Sequence, residues 1–289
     1  YKGYRFFVSS NRRIPFTSYN EINATTQYDT KLKSLLYGKM MLIETALKNI
    51  ALNTIMAEIN SNSIYDMYDK AVSSYKNASP GTSEDIKKKF QNNKLNLQGS
   101  IQNSIAAAYR KENPKITHFY NTVNYNEVPI WAIFEILTMG DFGYLLSCLT
   151  QDVRKKISRN IGLNLSSDTN CTLAYKYVYA LKDLRNAIAH NDVVYDTRFR
   201  KMDPSKPMKQ CLMLEMGLPY INFKTIGDYI ILICYFLKLL KVSKTEIKAF
   251  IREFEKITKE YEGQVSSAVA AITVHPDLFS RMTILKNSI

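Results

Sequence analysis

The sequence predicts an all-α fold. Three stretches carry that reading: residues 29–59, 173–190 and 225–262 all place apolar side chains at three- and four-residue steps, the period of a helix with one buried face. In the first, Leu32, Leu35, Leu36, Met40, Ile43, Leu47 and Ile50 form the apolar stripe, and Glu44 and Lys48 stand four apart as a favourable pair. This is the longest predicted helix and a core element.

A polar stretch rich in Asn and Ser follows, with Ser79-Pro80-Gly81-Thr82 as its strongest break and Ser83 placed to cap the next helix. That helix runs to about Lys111. Its Lys and Asn content, with Ser100, Ser104 and Ala106 to Ala108, makes it weakly apolar, which suits an insertion or a binding arm. Asn113-Pro114 ends it, and Pro129 starts a helix that includes Trp131, before Gly140 and Gly143 interrupt or turn the chain. Glu135 is expected to pair with a cation of the long helix, such as Lys48, as a structural bridge. The next helix spans about Leu173 to His190. Residues 204–219, bounded by Pro204 and Pro219, read as a loop with room for a short hairpin, and helices at 225–241 and 244–262 follow. The expected organisation is a single domain over 1–289, with 29–59 and 129–200 as the bundle core and 60–115 as a helical insertion or RNA-binding arm.

Composition narrows the function classes. Apolar residues make up 46% of the chain, enough for a proper core, and 39 Lys and Arg against 26 Asp and Glu leave a net charge of +13. Polyanions are natural partners for such a chain. Its 20 tyrosines and 13 phenylalanines add surfaces on which unpaired bases can stack, although aromatic residues in helical proteins mostly fill cores. Cys148, Cys171, Cys211 and Cys234 lack any zinc-binding or disulfide spacing, which fits a reducing, cytoplasmic setting. The longest apolar run, Ile226 to Leu240, is broken by Asp228 and Lys238 and is shorter than the roughly 20 residues that span a bilayer, so no membrane span is expected. No carboxylate cluster suggests a two-metal nuclease, and no Gly-rich loop suggests a nucleotide. Metals and cofactors are not expected.

The chemistry concentrates in Leu184-Arg185-Asn186-Ala187-Ile188-Ala189-His190. At about 100° per residue, Leu173, Tyr177, Leu181, Leu184 and Ile188 share the buried stripe, while Asn186 and His190, four apart, lie opposite it with Arg185 on the flank. Histidine, with an ordinary pKa near ~6.5, can move protons, and the guanidinium of arginine can answer charge developing on a phosphorane. Asn186 can orient the imidazole or bind a phosphate oxygen. A histidine at a helix end can equally serve as a cap on the last carbonyls.

These residues resemble the Arg-x4-His signature of HEPN-type ribonucleases, and the wider pattern resembles the Abi-like (Abi_2) abortive-infection proteins of bacterial phage defence. Tyr1-Lys2-Gly3-Tyr4-Arg5 is similar to the end of that family's N-terminal block. Tyr28-Asp29-x-x-Leu32-Lys33 and Ile43-Glu44-x-x-Leu47-Lys48 are similar to its long helix, and residues 129–140, from Pro129 to Gly140, form the most specific match after the Arg/His block. The resemblance runs from residue 1 to about 200. Because the chain begins inside such a block, a preceding segment is expected. Where the family often has Arg, this chain has Lys33 and Lys48, and where it often has an Arg after the His, this chain has Val193 and Val194. A second cationic contact then has to come from Arg198 or Arg200.

The resemblance implies a HEPN-type helical bundle and a metal-independent endoribonuclease with Arg185, Asn186 and His190 as catalytic residues. It implies a homodimer that brings two motifs together, 2′,3′-cyclic phosphate and 5′-hydroxyl products, an antiphage role, and a small structured RNA as partner or regulator. Candidate RNA contacts are Lys182, Arg198, Arg200 and Lys201, with Arg5, Arg12 and Arg13 near the start; Glu44, Lys48, Trp131 and Glu135 are read as structural. The alternatives are a non-cleaving scaffold that grips RNA with the same cluster, and an interaction bundle in which the cluster builds a dimer interface.

Overall fold

A computed structural model describes residues 7–9, 12–121 and 127–289. The Tyr1 to Arg5 block lies outside the described residues. The described chain is all-α apart from a short antiparallel pair, β1 (Phe7–Ser9) with β2 (Arg12–Arg13). The helices follow in order: α1 (Tyr19–Ile59), α2 (Ile64–Asp66) continuing into a π turn over Met67–Ala71, α3 (Glu84–Arg110), α4 (Pro114–Tyr120), α5 (Ile130–Ile136), α6 (Met139–Cys148), α7 (Gln151–Ile161), α8 (Leu173–Ala189), α9 (Lys206–Met216), α10 (Ile226–Leu239), α11 (Lys244–Glu262), α12 (Ser267–Thr273) and α13 (Leu278–Ser288). Among the described residues no helix is long and apolar enough to cross a membrane.

Contacts divide the chain into two compact units, one formed by 1–43 with 180–289 and the other by 44–179. Helices α1 and α8 contribute residues to both. In the first unit α10 is the centre: every residue from Ile226 to Leu237 is buried, and α9, α11 and α13 pack on it. The buried cation Arg281 of α13 pairs with Asp228 in the first turn of α10 and donates to the Tyr220 carbonyl at 3.1 Å. In the second unit α3 packs on α4, α5 and α6, burying Leu97, Ile101, Ile105 and Ala108, and an isolated bridge joins Val72 to Leu149.

Local signals explain the helix ends. α1 starts ten residues earlier than its apolar stripe suggests, at a capping arrangement in which the Ser18 hydroxyl accepts the Glu21 N–H and the Glu21 carboxylate accepts the Thr17 N–H at 2.6 Å. Ser83 precedes α3 as expected, but its side chain makes no capping hydrogen bond. Gly140 and Gly143 do not break the chain. The break falls at Leu137, Thr138 caps α6, and α6 runs through both glycines. Gly143 is there for contact: a Cβ would stand 3.0 Å from Tyr179 Cε1 and 3.2 Å from Val178 Cγ1. Residues 204–219 hold α9 instead of a loop or hairpin. Pro207 occupies its first turn, where its missing N–H costs nothing, and Gly217 ends it at φ +62°.

Candidate functional site

The motif sits at the end of α8. Leu181 and Leu184 are fully buried, Arg185, Asn186 and Ile188 are half-buried, and His190 is exposed. The predicted stripe therefore holds for Leu173, Tyr177, Leu181 and Leu184 and loosens at Ile188. α8 closes with Asn191 in the left-handed region at φ +54°. Asp192 N donates to Ala187 O at 2.7 Å and Asn191 N to Ile188 O at 3.2 Å, while His190 N donates to Asn186 O at 2.9 Å. This is the backbone closure in which the terminal carbonyls are satisfied by main-chain N–H groups. The His190 side chain is thus not needed as a cap, and among the described residues none hydrogen-bonds its imidazole or the Asn186 amide. The other histidines differ in their neighbours: His275 is tied through Nδ1 to Asp277, and His118, also exposed, meets the Phe119 ring edge-on at 5.4 Å.

The turn after the motif is fixed by two residues of α1. Asp29, 1% exposed, accepts Val194 N at 2.8 Å and Tyr195 N at 3.3 Å through Oδ1, and its Oδ2 lies 2.5 Å from Lys33 Nζ. Lys33 in turn donates to Asn191 Oδ1 at 2.8 Å. One acid and one lysine, a helical turn apart, hold both the left-handed residue and the Val194–Tyr195 backbone that follows it. Neither residue has an assigned role in the sequence alone; their four-residue spacing on one helix face is the signal that marks them as a pair.

Fifteen residues further along α1 the same device recurs in the second unit. Lys48 Nζ contacts Glu44 Oε1 at 2.9 Å and donates to the Leu137 carbonyl at 2.7 Å, at the break that ends α5. The expected Lys48–Glu135 bridge is therefore wrong. Lys48 is taken by Glu44 and by a helix-terminal carbonyl, and Glu135 pairs at the surface with Lys115. Trp131 is 45% exposed and meets Phe119 edge-on at 5.5 Å.

The candidate RNA contacts separate. Arg198 donates through Nε to Asp196 Oδ2 at 2.7 Å. Arg200 reaches Asp203 at 2.7 Å and the carbonyls of Asn222 and Phe223. Lys182 Nζ lies 3.2 Å from Asp183, a buried carboxylate that also accepts Lys201 N at 3.2 Å. Lys201 and Arg13 are exposed, Arg12 lies in β2, and Arg5 is outside the described residues. The unit that holds the motif carries 24 Lys and Arg against 14 Asp and Glu, so +10 of the chain's +13 belongs to it.

The four cysteines are free and buried, and among the described residues no group of three or more His, Cys, Asp or Glu is arranged to hold a metal. A family model described as Abi-like protein matches residues 1–196. No curated protein and no solved structure matches the chain.

Proposed function

The chain belongs to the Abi-like protein family, and from that premise we propose that it is a HEPN-type, metal-independent endoribonuclease of a bacterial abortive-infection system. The observation that carries the reading is the exposed His190 imidazole, released from any capping duty by a backbone-closed helix end, with Arg185 and Asn186 on the turn below it. The concentration of positive charge in the same unit favours a polyanionic substrate.

The reaction requires a base, an acid and positive charge on the phosphorane. One imidazole removes the 2′-hydroxyl proton, the 2′-oxygen attacks the adjacent phosphorus, and a second imidazole protonates the departing 5′-oxygen. The products are a 2′,3′-cyclic phosphate and a 5′-hydroxyl. Each chain offers one such histidine, so two copies facing each other supply both, with Arg185 of each copy answering the charge on the non-bridging oxygens. The Asp29 and Lys33 clamp keeps His190 at a fixed helix end, which limits the geometry a substrate has to find. A small structured RNA as regulator follows from the family reading and the charge.

The test is to assay the purified wild type and His190→Ala on labelled RNA in EDTA, with RNA extracted from both proteins. Cleavage by the wild type alone, leaving cyclic phosphate ends, supports the proposal. Equal activity of the two overturns it, and retained RNA without cleavage by either makes the cluster a binding site only.

A further inference from the structure

Helix α11 carries a ladder of four cations, three of which pair with no acid among the described residues. Lys244, Lys248, Arg252 and Lys256 recur every four residues, so they climb one side of the helix in steps of about 6 Å and cover about 18 Å. Lys244, Arg252 and Lys256 are exposed, Lys248 is half-buried, and exposed Lys259 lies on the same side. The inward face is apolar, with Ile247, Phe250, Ile251, Phe254, Ile257 and Tyr261 buried and α10 and α13 packed against the helix.

Three of the five acids of α11 are spent on other helices, and Glu262 stands half-buried at its last position. Glu246 pairs with Lys39 and Glu260 with Lys31, both of α1, and Glu255 pairs with Lys286 of α13. Glu253 comes only within 4.0 Å of Lys256. Among the described residues no acid pairs with Lys244, Lys248 or Arg252. Like charges at this spacing repel one another along a helix, so the arrangement is unfavourable until an anion arrives.

We propose that this face of α11 is a docking surface for a nucleic-acid backbone, with successive phosphates of one RNA strand meeting successive cations. A regular row of positive charges matches a polymer of regularly spaced negative ones. The exposed side chains between the cations, Thr245, Glu246, Ala249 and Glu253, include no aromatic surface, so the face grips backbone and does not read bases. An anionic lipid surface fits less well, because α11 turns its apolar side chains inward and contributes no exposed large apolar residue to enter a bilayer. The face lies beyond the residues matched by the family model, and the inference stands whether or not Arg185 and His190 cut RNA.

The experiment uses the full chain in a His190→Ala background, so that RNA survives the measurement. Binding of labelled oligouridylate and oligoadenylate is followed by fluorescence anisotropy across a salt series for the parent and for Lys244→Gln/Lys248→Gln/Arg252→Gln/Lys256→Gln. Each phosphate contact on a single strand contributes about 0.7 to the slope of log affinity against log salt, so loss of the ladder lowers that slope by roughly 2–3, equally for both oligonucleotides. A control with Lys244→Arg/Lys248→Arg/Lys256→Arg keeps the parent slope. An unchanged slope in the glutamine variant, a loss confined to one base sequence, or an arginine control as weak as the glutamine variant overturns the proposal. So does a glutamine variant that keeps RNA binding and loses only its affinity for phosphatidylserine vesicles.

Discussion

Asp29→Asn is the substitution that isolates the clamp behind the motif. It preserves shape and one carbonyl-type acceptor but removes the charge from a side chain that is 1% exposed. Lys33, 8% exposed, keeps its ammonium with Asn191 Oδ1 as the neighbour that still answers it, and the hydrogen bonds from Val194 N and Tyr195 N lose their charge assistance. Removing one partner of a buried ion pair costs about 3–5 kcal/mol, and the contact Lys33 retains places this case near the lower end, at about 3 kcal/mol. That is a large share of the roughly 5–15 kcal/mol by which domains are stable. At about 2–4 °C per kcal/mol for a unit of this size, the melting midpoint falls by roughly 6–12 °C. The assay is calorimetry on Asp29→Asn, Lys33→Met and the double variant. Because the double variant no longer buries a lone ammonium, its cost is smaller than the sum of the singles by at least about 1 kcal/mol. A midpoint for Asp29→Asn within experimental error of the parent, or strictly additive singles, would refute the clamp.

Three further outcomes follow. His190→Ala removes an exposed side chain from a helix end closed by main-chain bonds, so its unfolding free energy stays within about 0.5 kcal/mol of the parent in thermal melting while cleavage in EDTA disappears; a substantial loss of stability would return His190 to the capping role. The Glu21 carboxyl is held down from its ordinary 4.5 to about 2, chiefly by the Thr17 N–H and then by Ser266. A carboxylate depressed in this way stabilises the fold above pH 4.5, and that stabilisation is lost as the pH falls from there through about 2. Glu21→Gln should flatten the melting midpoint against pH in this window, and an unchanged acid limb would assign the acid sensitivity elsewhere. Gly143→Ala drives a methyl group against Tyr179 and Val178 and should cost about 1–3 kcal/mol by overpacking; a neutral result in thermal melting would show that the two side chains yield.

What was legible in the sequence followed from local physics. The period of the apolar residues gave α11 its observed limits, Lys244 to Glu262, because that helix has one well-defined buried face. The same criterion began α1 too late, because residues 19–28 carry Thr25, Thr26 and Asn23 and their start is marked by the Ser18 and Glu21 cap instead of apolar period. Proline misled at α9, where Pro207 is a starting signal and Gly217 a stopping one. Arg185, Asn186 and His190 were found because they are close in sequence. The clamp was only half legible: Asp29 and Lys33 announce a pair, but their partners at 191–195 lie more than 150 residues away, and no local pattern names them. Glu135 shows the converse, since a plausible cation in sequence, Lys48, had a carbonyl to serve.

The unit that carries the motif is assembled from two distant pieces of chain, 1–43 and 180–289, with all of 44–179 between them. A ribosome delivers those pieces in order. The stretch 44–179 can collapse on itself as it emerges, whereas Asp29 and Lys33 wait for a turn that does not exist until residue 195 has been made, and α10, the centre of their unit, comes later still. Long-range closure of this kind is late and slow compared with local packing. A nascent chain that already contains Arg185, Asn186 and His190 therefore lacks the frame that holds them, so the groups proposed to cut RNA are positioned only once the helices that follow them have been made.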